Sequence, residues 1–589
     1  MRQATDNGRL IWLPVGMTLI FVAAGLSQAR VQVLDRATVL YQAEETRRYV
    51  VSRTELARRG TIYSADGKIV AQSEDAFVLG VDYSKAPHSP GFFMALGAAA
   101  GIAPTEISQP AAAGLKSRVW RQRMTSEQAA EVQAVKQSWR ADGVSLHRDM
   151  RRLYPLSESM ACVVGTVRDG NPLSGIELGE NAVLEGRNGL QAGMVDRTGA
   201  WLPSRMSETK RSRQNGQSVT LTVDSVLQVE ATQAVRQAVE KTKAERGVAI
   251  VMDPKTGSVR AMACWPTYDP SGSNLQLGRY SDLNPAFQSI YEPGSTFKVL
   301  TLAKALDEGV VTPGSTVACG GTLKLNKYWA IHCDREHGAH GTSGIERAIA
   351  KSCNVSAATW ALKVGYNDMV HYVEDLGLLE RPGTGMPGEV RGQFNYKEYA
   401  KPLQIAQVGF GQSLSSTPLA LCSAYAMLAN GGVRMHPRVL DEVGGVRQPI
   451  AKGETILKPE TADRVLHLME SVIQSDEGTG SKLRIPGYRL AGKTGTAQKI
   501  GGGKSGGHVA SFVGFVPAQE PHAVILVMID QPKGAQYYGG QVAGPVFRQL
   551  AQAVIRRDRI PADSQPARKK SPMKVEVSAK PTTTGIPNR

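Results

Sequence analysis

The pattern of apolar and polar positions divides this chain into stretches of different character. The first is a 17-residue run without a charge, Leu10 to Leu26 (LIWLPVGMTLIFVAAGL), preceded by Arg2 and Arg9 and followed by Arg30. A membrane-spanning helix needs about 20 mostly apolar residues, with about 17 at the lower end. The apolar core of a cleaved signal peptide runs to only about 7–15. Residues 10–29 therefore read as an uncleaved anchor, residues 1–9 as a short cytoplasmic N-terminus, and the remainder as exported, since basic residues stay inside. Ser27-Gln28-Ala29 supplies the competing reading, a cleavage site. No later stretch is apolar enough for a second crossing.

Residues 30–220 alternate short patterns with turn chemistry. Arg58-Arg59-Gly60-Thr61-Ile62 runs into Ser64-Ala65-Asp66-Gly67-Lys68-Ile69, and the Asp-Gly pair inside this alternation predicts a hairpin. Ala-rich segments between Gly91 and Gln137 predict helices. Ser218 to Asp224 predicts a strand that leads into a helix from Ser225 to Lys243, a bridge to the next domain. In residues 221–560, strands are expected at Val248–Asp253 and Ser258–Ala263, joined by the turn Pro254-Lys255-Thr256-Gly257. A mainly helical stretch follows, and strands return at Leu490–Gln498, Val509–Val516 and Ala523–Ile529 before a last helix at Gly544–Arg557. Strands at both ends with helices between them imply an α+β domain: an antiparallel sheet covered by helices, plus an all-helical lobe. Residues 561–589 are rich in Pro, Lys and Thr and read as a basic, disordered tail.

Composition adds a setting. At 589 residues the chain is too long for one core. The net charge of +16 could point to nucleic acid, but no zinc-finger, helix-turn-helix or RNA-binding signature accompanies it. Part of the excess lies in the tail, at Arg568, Lys569, Lys570 and Lys574. The charge therefore suits an anionic membrane and cell-wall surface, with no nucleic acid partner.

Three short strings carry the chemistry: Ser295-Thr296-Phe297-Lys298, Ser352-Cys353-Asn354 and Lys493-Thr494-Gly495-Thr496. Each alone reads as a helix cap or a turn. In this order they form the set shared by penicillin-binding proteins and class A β-lactamases. Glu292-Pro293-Gly294 launches a helix with Ser295 at its N-terminus, where free N–H groups favour developing negative charge. Lys298 lies one turn on, on the same face, and a desolvated lysine there can take the serine proton. The Ser352 hydroxyl can relay protons, and the Asn354 amide can hold a substrate carbonyl. Gly495 allows close backbone approach, while Lys493, Thr494 and Thr496 suit a terminal carboxylate. The backbone N–H groups of Ser295 and Thr496 would form an oxyanion hole.

Six cysteines in an exported chain invite disulfides. Cys162, Cys264 and Cys422 sit in apolar surroundings and read as buried thiols. The pattern Cys319-x13-Cys333-x6-His340-x12-Cys353, with His337 nearby, supplies three thiolates and an imidazole, a structural zinc set. A Cys319–Cys333 disulfide closing a hairpin is the alternative.

Beyond the three strings the chain resembles the class B penicillin-binding proteins from the anchor to about residue 560. Glu292-Pro293-Gly294-Ser295-Thr296, Ala491-Gly492-Lys493-Thr494-Gly495-Thr496, Gly409-Phe410-Gly411-Gln412, Thr417-Pro418 and Ala429-Asn430-Gly431-Gly432 look like that family's motif surroundings. Arg58-Arg59-Gly60, Arg152-Leu153-Tyr154-Pro155 and Gly175-Ile176-Glu177 are similar to its N-terminal pedestal, or dimerisation-type, domain. Ser64-Ala65-Asp66-Gly67 and Asn284-Pro285-Ala286 depart from the usual Asp-Arg-Asn-Gly and Asn-Arg-Ala.

The resemblance implies a penicillin-binding transpeptidase fold on a pedestal with one transmembrane helix, in a bacterial inner membrane. It also implies D,D-transpeptidation of peptidoglycan through a serine acyl-enzyme, with no cofactor required for catalysis. Stem peptides ending in D-Ala-D-Ala, an amine acceptor, β-lactams, a multispanning SEDS-type glycosyltransferase and division-complex proteins are the implied partners. The lead-in Gly487 to Gly492 looks more like the cell-division type than the elongation type. A β-lactamase or β-lactam sensor is the remaining rival, but between Asn354 and Lys493 there is no Glu-x-x-Leu-Asn string to activate a deacylating water.

Overall fold

The computed structural model describes residues 8–30, 33, 50–195, 208–272, 283–333, 338–394, 401–498, 507–534 and 537–563. His337 and nearly all of the basic tail lie outside these residues. Near the start, helix α1 (Gly8–Ala29) is 22 residues long, and Met17, Leu19, Ile20, Phe21 and Leu26 on it are exposed. Among the described residues no helix is long and apolar enough to cross a membrane.

The N-terminal domain is built on the long strand Ile69–Asp82, which pairs antiparallel with Ser117–Met124 and with Val144–Leu153. The hairpin expected at Asp66-Gly67 forms between Ile62–Tyr63 and this strand, with Gly67 at φ 74°. The Ala-rich stretch contains helices Pro90–Ala100, Pro104–Ala112 and Ser126–Ser138, as its composition suggests. Between them lies the strand Ser117–Met124, which composition did not reveal. Its sequence is mostly charged and polar, and only Trp120 and Met124 are buried, anchoring it to the small core of Leu79, Phe92, Leu96 and Val132. Tertiary packing here overrides a weak local pattern.

The strand Val219–Leu221 joins the two halves. It runs parallel to Ile62–Tyr63 on one side and antiparallel to Leu440–Val443 on the other. Asp224 then caps helix α2 (Ser225–Thr242), accepting the N–H groups of Val226 and Leu227 at 3.0 Å each.

The C-terminal half is organised by one antiparallel sheet of strands β1 (Arg246–Met252), β2 (Val259–Trp265), β3 (Ala491–Gln498), β4 (His508–Val516) and β5 (Ala523–Asp530), in the order β2-β1-β5-β4-β3. Both faces are covered, which is why β5 is apolar at nearly every position. Its alternate residues Val524, Leu526 and Met528 face the helical lobe, while Ile525, Val527 and Ile529 face α2 and the C-terminal helix α6 (Gly539–Asp558). Strand β3 is at the edge of the sheet, beside the turn that carries Ser295. Its outer side carries no further strand of this sheet and meets that turn instead, although most of its side chains are buried.

Candidate active site

Three elements meet along β3. Ser295 lies in a tight 3-10 turn, Gly294–Thr296, that continues into helix α3 (Phe297–Asp307). That turn is clamped from below. Gly294 adopts φ 57° and donates its N–H to the Gly411 carbonyl at 2.9 Å, and the buried Tyr425 hydroxyl donates to the Thr296 carbonyl. A side chain on Gly411 would meet the Gly294 carbonyl oxygen at 2.1 Å, so only glycine fits there. Burial raises Glu292 above its ordinary value, although its carboxylate accepts the Ser413 N–H at 3.0 Å.

The second string fills the break between helices α4 (Ile345–Ala350) and α5 (Asn354–Val364). Ser352 takes the left-handed conformation, φ 57°. Its N–H returns to the Ile349 carbonyl, and that of Cys353 to the Ala348 carbonyl. This is the hydrogen-bond pattern of a helix end closed by a left-handed residue, normally glycine. A serine there is therefore held by its surroundings. Cys353 caps α5, its sulfur accepting the Ser356 N–H at 3.4 Å, and the Asn354 amide donates to the His332 carbonyl at 2.8 Å.

Two buried lysines converge on Ser352. Lys298 Nζ donates to the Ser352 carbonyl at 2.5 Å and to its Oγ at 3.1 Å, while Lys493 Nζ donates to the same Oγ at 2.9 Å and to the Thr494 carbonyl at 2.9 Å. Lys298 and Lys493 are 1% and 0% exposed. Burial, reinforced by the Lys298 ammonium, pushes Lys493 well below the ordinary lysine range.

A cavity of about 400 Å³ opens over this cluster, lined by Ser295, Lys298, Ser352, Asn354, Thr494 and Thr496 among others. Lys493 and Gly495 do not reach its wall: Lys493 supports Ser352 from behind, and Gly495 packs against Ser511 and Thr296. No carboxylate lines the cavity among the described residues. The strings did not reveal Thr479, Tyr538, Gly539 or Gly540 as wall residues. Thr479 and Thr494 share a hydroxyl hydrogen bond of 2.9 Å, and the Gly539 N–H donates to the Thr496 hydroxyl at 3.2 Å. Their signal in the sequence was the glycine pair 539–540, which ends up at the start of α6, earlier than the expected Gly544.

Beside the cavity, Cys319, Cys333, His340 and Cys353 bring one donor atom each to within 4.8 Å of one another. Cys319 and Cys333 are 3.6 Å apart at sulfur and unbonded. Cys264 and Cys422 are buried as expected, while Cys162 is half-buried, its thiol donating to the Met262 carbonyl.

The penicillin binding protein transpeptidase domain matches residues 247–552, and the penicillin-binding protein dimerisation domain matches residues 54–221. The probable peptidoglycan D,D-transpeptidase PenA of Neisseria meningitidis is 30% identical over 559 residues, covering 93% of this chain and 92% of its own length. The peptidoglycan D,D-transpeptidase FtsI of Buchnera aphidicola is 30% identical over 426 residues, covering 72% of each chain. Among solved structures, penicillin-binding protein 3 of Mycobacterium tuberculosis complexed with aztreonam superposes with a TM-score of 0.67 at 26% identity, over 87% of this chain and 98% of that one.

Proposed function

This chain belongs to the class B penicillin-binding proteins, the peptidoglycan D,D-transpeptidases, and from that premise we propose how its own residues divide the work. Ser295 Oγ attacks the carbonyl of the donor's D-Ala-D-Ala amide. A C–O ester bond forms, the C–N bond breaks, and D-alanine leaves as the amine after taking a proton. Lys298 accepts the serine proton and Ser352 passes one to the leaving nitrogen. An acceptor amine then attacks the ester and restores Ser295. The backbone N–H groups of Ser295 and Thr496 stabilise the oxyanion. The Asn354 amide holds a peptide carbonyl, and the Thr494 and Thr496 hydroxyls hold the terminal carboxylate. Lys493 acts from behind, holding Ser352 through its hydroxyl.

One observation carries this reading: a single hydroxyl, Ser352 Oγ, is shared by two buried lysines at the wall of the cavity that Ser295 also lines. Intact-mass measurement after exposure to penicillin tests it. The wild type should carry a long-lived adduct on Ser295, and rapid loss of the adduct would favour a β-lactamase. The absence of a carboxylate from the described cavity wall supports slow deacylation.

The finer setting belongs to the same proposal. Residues 10–29 anchor the protein in the inner membrane. The exposed apolar side chains of α1 support that, and residues 30–220 then form the pedestal and 221–560 the transpeptidase domain. The chain works at the division septum beside a multispanning SEDS-type glycosyltransferase, a reading that the lead-in Gly487 to Gly492 and the FtsI-named relative are in keeping with, and the elongation role is the alternative. Midcell localisation of a tagged copy would agree with it, and sidewall localisation would reverse it. Acyl transfer by serine requires no cofactor, and a structural zinc at the Cys/His cluster would take no part in bond making.

A further inference from the structure

The cysteine–histidine cluster lies at a joint of the active site, and its geometry is specific. The sulfurs of Cys319 and Cys333 are 3.6 Å apart, and those of Cys333 and Cys353 are 3.7 Å apart. His340 Nδ1 is 3.4 Å from the Cys319 sulfur and 3.6 Å from that of Cys333. A tetrahedral zinc with bonds of about 2.3 Å to sulfur and about 2.0–2.1 Å to nitrogen places its sulfurs about 3.8 Å apart and sulfur and nitrogen about 3.5 Å apart. These four spacings match those edges, and the two remaining ones, from Cys353 to Cys319 and to His340, lie within 4.8 Å. A disulfide needs about 2.05 Å, and the described cysteines are all free thiols.

The surrounding chain explains what a metal would accomplish. The excursion from Thr316 to Gly344 is made of two two-stranded ribbons, Thr316–Cys319 with Gly341–Gly344 and Thr322–Lys324 with Ala330–His332. Among its described residues the buried apolar side chains are Cys319, Ile331 and Cys333, which join the main core with Val317, Leu323 and Leu325 packed against it. So few buried side chains hold two short ribbons only weakly, and a metal is one standard staple for such a segment. The four-residue cluster also adjoins the candidate site at two points. Cys353 separates Ser352 from Asn354, and Cys333 follows His332, whose carbonyl receives the Asn354 amide.

We propose that Cys319, Cys333, His340 and Cys353 bind one Zn²⁺ as a closed Cys₃His centre, and that this centre clamps the Ser352–Asn354 loop in its acylating shape. Four protein ligands leave no open position, so the zinc is structural and neither activates water nor polarises substrate. Its effect on chemistry runs through position: Ser352 keeps its left-handed backbone, and Asn354 keeps its carbonyl partner. Because the loop's task is taken from the acyl-transfer reading above, the test separates the two.

The full-length protein is purified in detergent without chelator and analysed for metal. The expected content is one zinc per chain, with thiol titration finding no Cys319–Cys333 disulfide. Removing the metal with a chelator should slow labelling of Ser295 by a fluorescent penicillin roughly tenfold or more, the scale expected for a misplaced catalytic group. Adding Zn²⁺ alone should restore it. Cys319→Ser and His340→Gln, both outside the three strings, should lose zinc and slow labelling in parallel. Cys353→Ser is the harsher variant, and chelation of the wild type covers the case in which it fails to fold. Metal-free protein as isolated, or a Cys319–Cys333 disulfide, would overturn the site. Bound zinc whose removal leaves the labelling rate unchanged would overturn the clamp while leaving acyl transfer intact. Zinc-loaded wild type that never labels at Ser295 would instead sink the acyl-transfer reading, and with it the clamp.

Discussion

Two clusters of buried charge, one in each half of the molecule, have opposite logic. In the pedestal, the carboxylate of Glu177 is fully buried between two arginines, with Arg59 Nε at 2.6 Å and Arg152 Nε at 2.7 Å. Arg59 also binds the Asn181 side chain and the Glu177 carbonyl, so most of its donors are matched. In the active site two lysines share one serine hydroxyl, and among the described residues no carboxylate lines the cavity above them. The first cluster pairs opposite charges, which hold one another in place. The second places like charges together and favours releasing a proton from one of them. Equal burial therefore yields a girder in one place and a proton carrier in the other.

The sharpest way to break this comparison is to neutralise one member of each. Ser295→Ala removes the proposed nucleophile, and Lys298→Met removes its proposed proton acceptor at nearly constant volume. Each should lower the rate of penicillin acylation by about 10³-fold or more in stopped-flow measurements. Neither should cost more than about 1 kcal/mol of stability, because Lys298→Met removes a repulsion. In the pedestal, Glu177→Gln leaves two buried guanidinium groups without their counter-charge. Breaking a buried ion pair costs about 3–5 kcal/mol, so its thermal unfolding should shift down steeply while the acylation rate of the remaining folded protein stays within about threefold. A Glu177→Gln protein of unchanged stability would show that the pedestal cluster is not a girder.

The pH dependence of stability sharpens the same contrast. Lys493 is depressed in the folded protein and titrates near the ordinary value of about 10.4 when unfolded. Between those two values the unfolded chain binds more protons, so stability rises with pH through that window. The contribution is fully present above about 10.4 and is lost as pH falls through the folded value. Lys298→Met removes the neighbouring ammonium, the second cause of the shift. The variant's stability should therefore rise less steeply over that window than the wild type's, by up to about 1.4 kcal/mol per pH unit. Parallel curves would mean that the two lysines do not sense each other.

How much of this was legible in the sequence follows the same division. The catalytic sheet was readable because each strand is buried on both faces and leaves a dense apolar signal, as at Ala523–Asp530. The Ser295 turn, the Ser352 break and β3 were readable as parts of one site because acylation chemistry needs particular residue types in order, and the structure brings them to one cavity. The strand Ser117–Met124 was not readable, since two buried side chains set no period. Nor was the position of Lys493 behind the cavity wall. A lysine suits a carboxylate wherever it is exposed, and only the fold shows that this ammonium lies on Ser352. The wall residues Thr479 and Gly539 come from distant segments, and a linear pattern does not join them.

The smallest predicted effect tests how tightly the strand edge is fitted to the nucleophile's turn. A methyl group on Gly495 would meet Ser511 Oγ at 2.3 Å and Thr296 Cγ2 at 2.7 Å. Ser511 can rotate its hydroxyl, but Thr296 is 1% exposed and its own hydroxyl is tied to the Pro293 carbonyl at 2.8 Å. The strain must therefore pass into the turn that carries Ser295. Gly495→Ala should cost about 1–3 kcal/mol of stability, the range for overpacking a filled site, and slow acylation more than that loss alone explains. Gly67→Ala, in the pedestal hairpin, supplies the control. Gly67 has a positive φ of 74°, which Gly495 in its strand does not, and nothing within 4 Å of an added methyl, so the substitution should lower stability by about 1 kcal/mol through its backbone alone and leave acylation unchanged. Equal effects of the two substitutions on the acylation rate would show that β3 and the serine turn are not mechanically coupled.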